Sequence, residues 1–479
     1  MALLSLALLC VFTIGAGAAV ARLLPGRLAE FRIPQVAGRA LAAPGPVLRA
    51  AAGLPRPAAG PGRGRAATRA GLSTAISGLV GSAVLGPHVG ALVTDLGTGE
   101  VLYARHAGAP LAPASTTKLA TAIAALEVLG PGARFATRVV AGGTPSSIIL
   151  VGGGDPTLAA GSPPASEYPK PATLASLAAA TARALRAKGV HAVRLSYDAS
   201  LFSGSATAPG WSPDYVSSGN VSPIESLEVD QGRLTASGAP QDADDPGNFL
   251  PRSAAPAASA AQAFASFLPR HGVRVRGQVT QAAAPRRAVT IAAVSSPPLA
   301  EIVAQMLTES NNVIAENLAR QVAIATGRPA TFSGAATAET AVLRKLGIRS
   351  GISLVDASGL SPRDRVTPDT LVQLIRAAAE PGQPGLRPVI TGMPVAGFSG
   401  TLARGGSAFS DLGPPALGVV RAKTGNLATV ASLAGIAYAK NGQLLAFAFM
   451  ADRLPKAGLD PAAADLTKLA TSLAGCGCH

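Results

Sequence analysis

Ser115 stands three residues before Lys118 in PASTTKLATAIAALEVLG, residues 113–130, where an apolar run with helical spacing begins. Residues three apart share one face of a helix, so a hydroxyl and an amine would lie side by side there. A serine attacks a carbonyl only when a neighbouring base takes its proton. Lysine serves as that base if it is neutral, which demands a dry pocket or a nearby positive charge. The chain holds only eight lysines against 33 arginines, so a lysine at this place is conspicuous. The five histidines, His88, His106, His191, His271 and His479, fall in no triad setting, and there is no G-x-S-x-G elbow. Taken alone, the pair also fits a plainer reading, with Ser115 capping a helix and Lys118 solvated.

Two further elements change that balance. Lys423-Thr424-Gly425 is the only K-T-G in the sequence and closes an apparent strand, where glycine lets a ligand approach the backbone. Ser310-Asn311-Asn312 supplies S-x-N between two helical patterns, PPLAEIVAQMLTE and VIAENLARQVAIA. A second S-x-N, Ser218-Gly219-Asn220, lies in a loop rich in proline and glycine. Ser310 is preferred because flanking helices would hold it rigidly. In this order S-x-x-K, S-x-N and K-T-G form the signature set of penicillin-binding proteins and class A β-lactamases.

The elements that must position these residues come from both ends of the chain. RAGLSTAISGLVGSAVL has helical apolar spacing, and HVGALVTDLGTGEVLYARHA reads as a hairpin leading to Ser115. VVRAKTGNLATVASLAGIAYAKNGQLLAFAFM reads as three strands, the last two joined through Asn441-Gly442, and DPAAADLTKLATSLAG closes with a helix. These predict one sheet assembled from the N- and C-terminal strands and flanked by helices. Residues 142–289 differ in texture, with short β-like runs such as SSIILVGG and VRVRGQV, and read as a β-rich inserted domain.

The match extends beyond three triplets. VGGGDPTL (151–158), VDASGLSPRDRVTP (355–368), GFSGTL (397–402) and RAKTGNL (421–427) join PASTTKLAT (113–121) and SNNVIAENL (310–318) over most of residues 70–475. On these residues the chain resembles the class C low-molecular-mass penicillin-binding proteins, the D-alanyl-D-alanine carboxypeptidase/endopeptidase group with a large insert between its first and second motifs. The resemblance implies an α/β penicillin-binding/β-lactamase-like fold, with residues 69–141 and 290–475 forming the peptidase domain and 142–289 the insert. It implies an exported serine-type enzyme that acts on peptidoglycan stem peptides through an acyl-enzyme and is trapped by β-lactam antibiotics. No metal or organic cofactor is expected.

Roles follow from the same resemblance. Ser115 would be the acylated nucleophile and Lys118 its base, Ser310 would relay a proton, and Asn312 would hold the substrate amide. Lys423 would help keep Lys118 neutral and attract the peptide's terminal carboxylate, which Thr424 would bind. The N–H groups of Ser115 and Asn426 would form an oxyanion hole. The family usually has Thr or Ser where Asn426 stands. The backbone donor survives that change, but the side-chain contact to the carboxylate is altered, which predicts weakened carboxypeptidase activity.

Composition bounds the rest. At 479 residues the chain has room for two or three domains. Its net charge of +15 reflects a general use of arginine, and no basic run interleaved with aromatics points to nucleic acid. Residues 1–21 are apolar and uncharged and read as a signal peptide or membrane anchor, giving membrane contact if uncleaved; residues 22–68 read as a Pro/Gly/Arg-rich linker. Cys476 and Cys478 lie in a four-residue tail, 476–479, and read as unpaired. Two other functions stay open at this point: a serine β-lactamase, for which no E-x-x-x-N loop is evident, and an inactive peptidoglycan-binding scaffold, which Asn426 alone favours.

Overall fold

The computed structural model describes residues 67–163, 167–234, 249–405, 407–456 and 458–477. The expected leader, most of the linker, Cys478 and His479 lie outside them. Among the described residues no helix is long and apolar enough to cross a membrane.

Thr68 caps helix α1 (Arg69–Val80), its hydroxyl accepting from the Gly71 N–H, and Leu72, Ile76 and Val80 bury one stripe. Strands β1 (His88–Asp95) and β2 (Val101–Arg105) pair antiparallel. A 3-10 turn, Ala114–Thr117, then feeds helix α2 (Lys118–Leu129). Every residue of α2 from Lys118 to Leu126 is buried. Its sequence up to Leu126 is apolar on all sides apart from Lys118 and Thr121, and such a stretch belongs in the interior, while Glu127 in the last turn is exposed. It packs against five later helices in one core, where each fully buried Leu or Ile contributes about 1.5–3 kcal/mol.

A second sheet follows. It contains β3 (Ala136–Ala141), β4 (Ser147–Val151), β5 (Ala192–Asp198) after helix α3 (Leu174–Arg186), and, after helix α4 (Pro256–Phe267), the strands β6 (Arg274–Val275), β7 (Thr280–Gln281) and β8 (Thr290–Ser295). The order is β6-β5-β4-β3-β8, with β7 also pairing β5; the β4–β5 and β5–β6 pairs are parallel and the β3 pairs antiparallel. Leu177 and Leu185 of α3 and Phe264 of α4 pack on Ile148, Leu150, Val193 and Leu195. The sheet thus spans residues 136–295 and is α/β in character, because two alanine-rich helices cover it.

Helices α5 (Leu299–Thr308), α6 (Asn312–Ala325) and α7 (Phe332–Lys345) return the chain to the α2 core. Short strands β9 (Ile352–Ser353) and β10 (Arg365–Val366) pair around the 354–364 loop, and helices α8 (Pro368–Ala379) and α9 (Arg387–Gly392) follow. Strands β11 (Val420–Leu427), β12 (Val430–Tyr438) and β13 (Leu444–Asp452) precede the last helix, α10 (Leu459–Gly475). The first sheet runs β11-β12-β13-β1-β2, all antiparallel, and β1 meets β13 from His88↔Asp452 to Asp95↔Leu445. Helices cover both faces, α1 and α10 on one and the α2 core on the other. One expectation fails at the C-terminus: Cys476 is buried and disulfide-bonded, not unpaired.

Candidate active site

The site forms where the 3-10 turn, the α5–α6 junction and β11 converge. Ser115 sits within the turn, so it is not a helix cap, and α2 begins at Lys118. Thr116 and Thr117 tighten the turn by donating to the carbonyls of Pro113 and Ala114. Ala114, just before the serine, is held at φ 48°, and Ser310 at φ 57°. Left-handed backbone costs a non-glycine residue about 1–2 kcal/mol, and here it occurs just before one motif serine and at the other.

Lys118 Nζ donates to three oxygens: Ser115 Oγ at 2.8 Å, Asn312 Oδ1 at 2.7 Å and the Ser358 carbonyl at 2.7 Å. Three acceptors saturate an ammonium. Asn312 is oriented by its own nitrogen, which donates to the Asn220 carbonyl at 2.9 Å, so its oxygen faces the lysine. Two of the three partners are therefore pure acceptors. When Lys118 loses a proton, Ser115 is the one partner of the three able to donate to the vacated lone pair.

Burial supplies the loss. Lys118 is fully buried, which pushes its pKa down to about 7 against the opposing charges of Asp356, Glu316 and Asp364. Lys423 is also fully buried and lies well below the lysine range, by burial first and then by the charge of Lys118. Desolvation in the α2 core is thus the largest cause of the Lys118 shift, and charge on either buried lysine disfavours charge on the other.

Lys423 Nζ donates to Ser310 Oγ at 2.8 Å and to the Thr424 carbonyl at 2.7 Å. Thr424 Oγ1 donates to Thr401 Oγ1 at 2.8 Å. Gly425 lets β11 reach the turn that carries Ser115, since a Cβ there would lie 2.3 Å from Ser432 Oγ, 2.7 Å from the Pro113 carbonyl and 3.0 Å from Ser115 N. Asn426 is the next residue on β11 and is exposed. Ser115, Lys118, Asn312, Ser310, Lys423 and Thr424 are thus joined in two hydrogen-bonded groups, and β11 carries Asn426 past the same turn.

Several participants are absent from the sequence-based expectation. The Ser358 carbonyl is aimed by a pinned loop: Glu316 Oε1 accepts from Ala357 N and Ser358 N, and Asp356 accepts from Gly359 N, Ser361 N and Trp211 Nε1. Gly359, at φ 81°, stands where a Cβ would strike the Ala114 carbonyl. Asn220 belongs to the S-x-N passed over in favour of Ser310, and its contribution is its backbone. Asn311 caps α6 and donates to Gln231 at 2.7 Å, tying the Ser310 turn to the preceding lobe.

The geometry can therefore activate a serine in a dry pocket beside a second buried lysine. The D-Ala-D-Ala carboxypeptidase 3 (S13) family profile matches residues 73–249 and 237–472. A carboxypeptidase of Mycobacterium tuberculosis is 40% identical over 415 residues, covering 85% of each chain. Carboxypeptidase DacB of Mycolicibacterium smegmatis is 39% identical, over 86% of this chain and 85% of its own. In fold, the chain is similar to penicillin binding protein 4 (dacB) of Haemophilus influenzae, with a TM-score of 0.67 and 24% identity over 85% of this chain and 98% of that one. The sheet built from both termini, its helical layers and these relatives make the chain a member of the D-Ala-D-Ala carboxypeptidase 3 (S13) family, with a penicillin-binding/β-lactamase-like α/β fold.

Proposed function

We propose that this protein is an extracytoplasmic serine carboxypeptidase that removes the terminal D-Ala from peptidoglycan stem peptides, cuts the corresponding cross-bridges, and is acylated by penicillins. The observation that carries the reading is the Ser115 Oγ to Lys118 Nζ contact of 2.8 Å, with the lysine fully buried and pushed to about 7.

Neutral Lys118 takes the Ser115 proton as Oγ attacks the carbonyl carbon of the penultimate residue. The N–H groups of Ser115 and Asn426 receive the oxyanion. The C–N bond breaks, and the leaving amine takes a proton through Ser310, which Lys423 contacts. Lys423 and Thr424 hold the terminal carboxylate. The Asn312 nitrogen has two N–H groups, and the one not given to Asn220 serves the substrate amide. Water then hydrolyses the ester and frees Ser115. Residues 69–141 and 290–475 form the peptidase domain in this reading, 142–289 the insert, and residues 1–21 the export segment or anchor.

The test is release of D-Ala from a synthetic peptide ending in D-Ala-D-Ala. Release by the wild type, its loss in Lys118→Ala, and a rise of about tenfold in Asn426→Thr are expected, the last because a hydroxyl restores one hydrogen bond to a charged group. No release from a folded protein, by wild type and Asn426→Thr alike, would favour the scaffold reading instead.

A further inference from the structure

Far along the chain from the motif residues, the C-terminal turn of α3 and the 3-10 turn Leu268–His271 border an open groove of about 590 Å³. Arg183, Arg186, His191 and His271 line it with two alanines. Arg183 and Arg186 lie three apart and so share one face of α3. Among the described residues, none of these four side chains has a hydrogen-bond or ion-pair partner. Arg186 passes over Gly272, and Arg270 is stacked on Phe267 at the rim, 5.1 Å from ring centre to guanidinium carbon.

The charge is one-sided at the level of sequence as well. Residues 174–197 contain Arg183, Arg186, Lys188 and Arg194 and no Asp or Glu. Residues 251–300 also contain no acid, while Arg270, Arg274 and Arg276 follow one another there. A general arginine bias accounts for the number of cations but not for the removal of every anion from both segments that form the groove. Basic residues in the last turn of α3 also complement its dipole, but that interaction needs no groove and no histidines from two other loops.

We propose that this groove binds a linear phosphate-bearing polyanion, such as a phosphodiester polymer. This role is separate from peptide hydrolysis at Ser115. A concave wall with guanidinium groups spaced along it suits a chain of repeated phosphates, each accepting charge-assisted hydrogen bonds. A membrane surface fits less well: among the described residues no exposed large apolar side chain borders the groove.

The full chain should be titrated with linear inorganic polyphosphate, and separately sedimented with vesicles of phosphatidylglycerol and phosphatidylcholine. Two variants carry the same charge change, Arg183→Glu/Arg186→Glu in the groove and Arg286→Glu/Arg287→Glu elsewhere on the lobe. We expect saturable polyphosphate binding that weakens about tenfold or more in the groove variant and less than about twofold in the control, with penicillin acylation and melting temperature unchanged in both. Equal weakening in both variants would reduce the effect to net charge and overturn the proposal. So would vesicle binding that depends on Arg183 and Arg186 with no polyphosphate binding, or a groove variant that binds as the wild type does.

Discussion

The side-chain nitrogen of Asn312 donates to the backbone carbonyl of Asn220, 92 positions earlier in the chain, and so turns its oxygen onto Lys118. This contact sets which way the neutral lysine's lone pair can point. Asn312→Asp tests it. A carboxylate 2.7 Å from Nζ would favour the ammonium, raise the Lys118 pKa and leave less free base at neutral pH. Penicillin acylation near pH 7 should fall about fivefold for a rise of about one pKa unit from about 7, and its rising limb should move to higher pH. Rates measured across pH would contradict the assignment if the limb stayed in place.

Gly425 sets the distance between β11 and the nucleophile's turn. In Gly425→Ala the new Cβ meets Ser432 Oγ and the Pro113 carbonyl, neither of which is the far end of a flexible chain. We expect a stability loss of about 1–3 kcal/mol and slower acylation, because the oxyanion donors move apart. Urea unfolding and acylation kinetics on the same preparation check both; an unaltered acylation rate would mean the strand spacing does not matter to the chemistry.

Much of this was legible in the sequence, and the reasons are physical. Ser115, Lys118, Ser310, Lys423 and Thr424 meet through side-chain contacts, so their types and spacing carry the signal. The three C-terminal strands were legible because alternating apolar residues and an Asn-Gly turn encode them locally. Asn220 and Ser358 act through carbonyl groups that every residue possesses, and no spacing rule marks them. Glu316 reads as one more helical acid until the fold brings Ala357 and Ser358 N–H groups onto it. Helix α4 was missed because alanine on all sides blurs the contrast between buried and exposed faces, whereas α3 carries a helical stripe of Leu174, Leu177 and Leu185 opposite Arg183 and Arg186 that the β-like runs on either side of it overshadow. The dry pocket that a neutral lysine demands could be named from the sequence but not located, because sequence shows charge but not the burial that is the largest cause of the Lys118 shift.

The lobe beneath the Ser310 turn makes stability depend on pH in an unusual direction. Glu228 accepts from Ser222 Oγ and Asn317 Nδ2, and burial nevertheless pushes it up to about 8. Glu309 rises to about 7 and Asp155 to about 6, both chiefly by burial. A carboxyl whose folded pKa is raised stabilises the fold fully below its unfolded pKa, and that contribution is lost as pH rises through the folded value. The melting temperature should therefore fall between about pH 4 and pH 7, above which Lys118, depressed to about 7, begins to contribute in the opposite sense. Glu228→Gln, which keeps an acceptor for Asn317 and cannot ionise, should flatten the decline. A melting temperature that rose over this range would contradict these shifts.

The central claim is that Ser115 is the nucleophile and Lys118, neutral by burial, its base. Intact-mass spectrometry of the protein incubated with benzylpenicillin at a series of pH values tests it most directly, beside Ser115→Ala. The account predicts a single covalent adduct that maps to Ser115, is absent from the alanine variant, and forms faster as pH rises through about 7. An adduct that persists in Ser115→Ala, or a rate that does not change across that range, would contradict it.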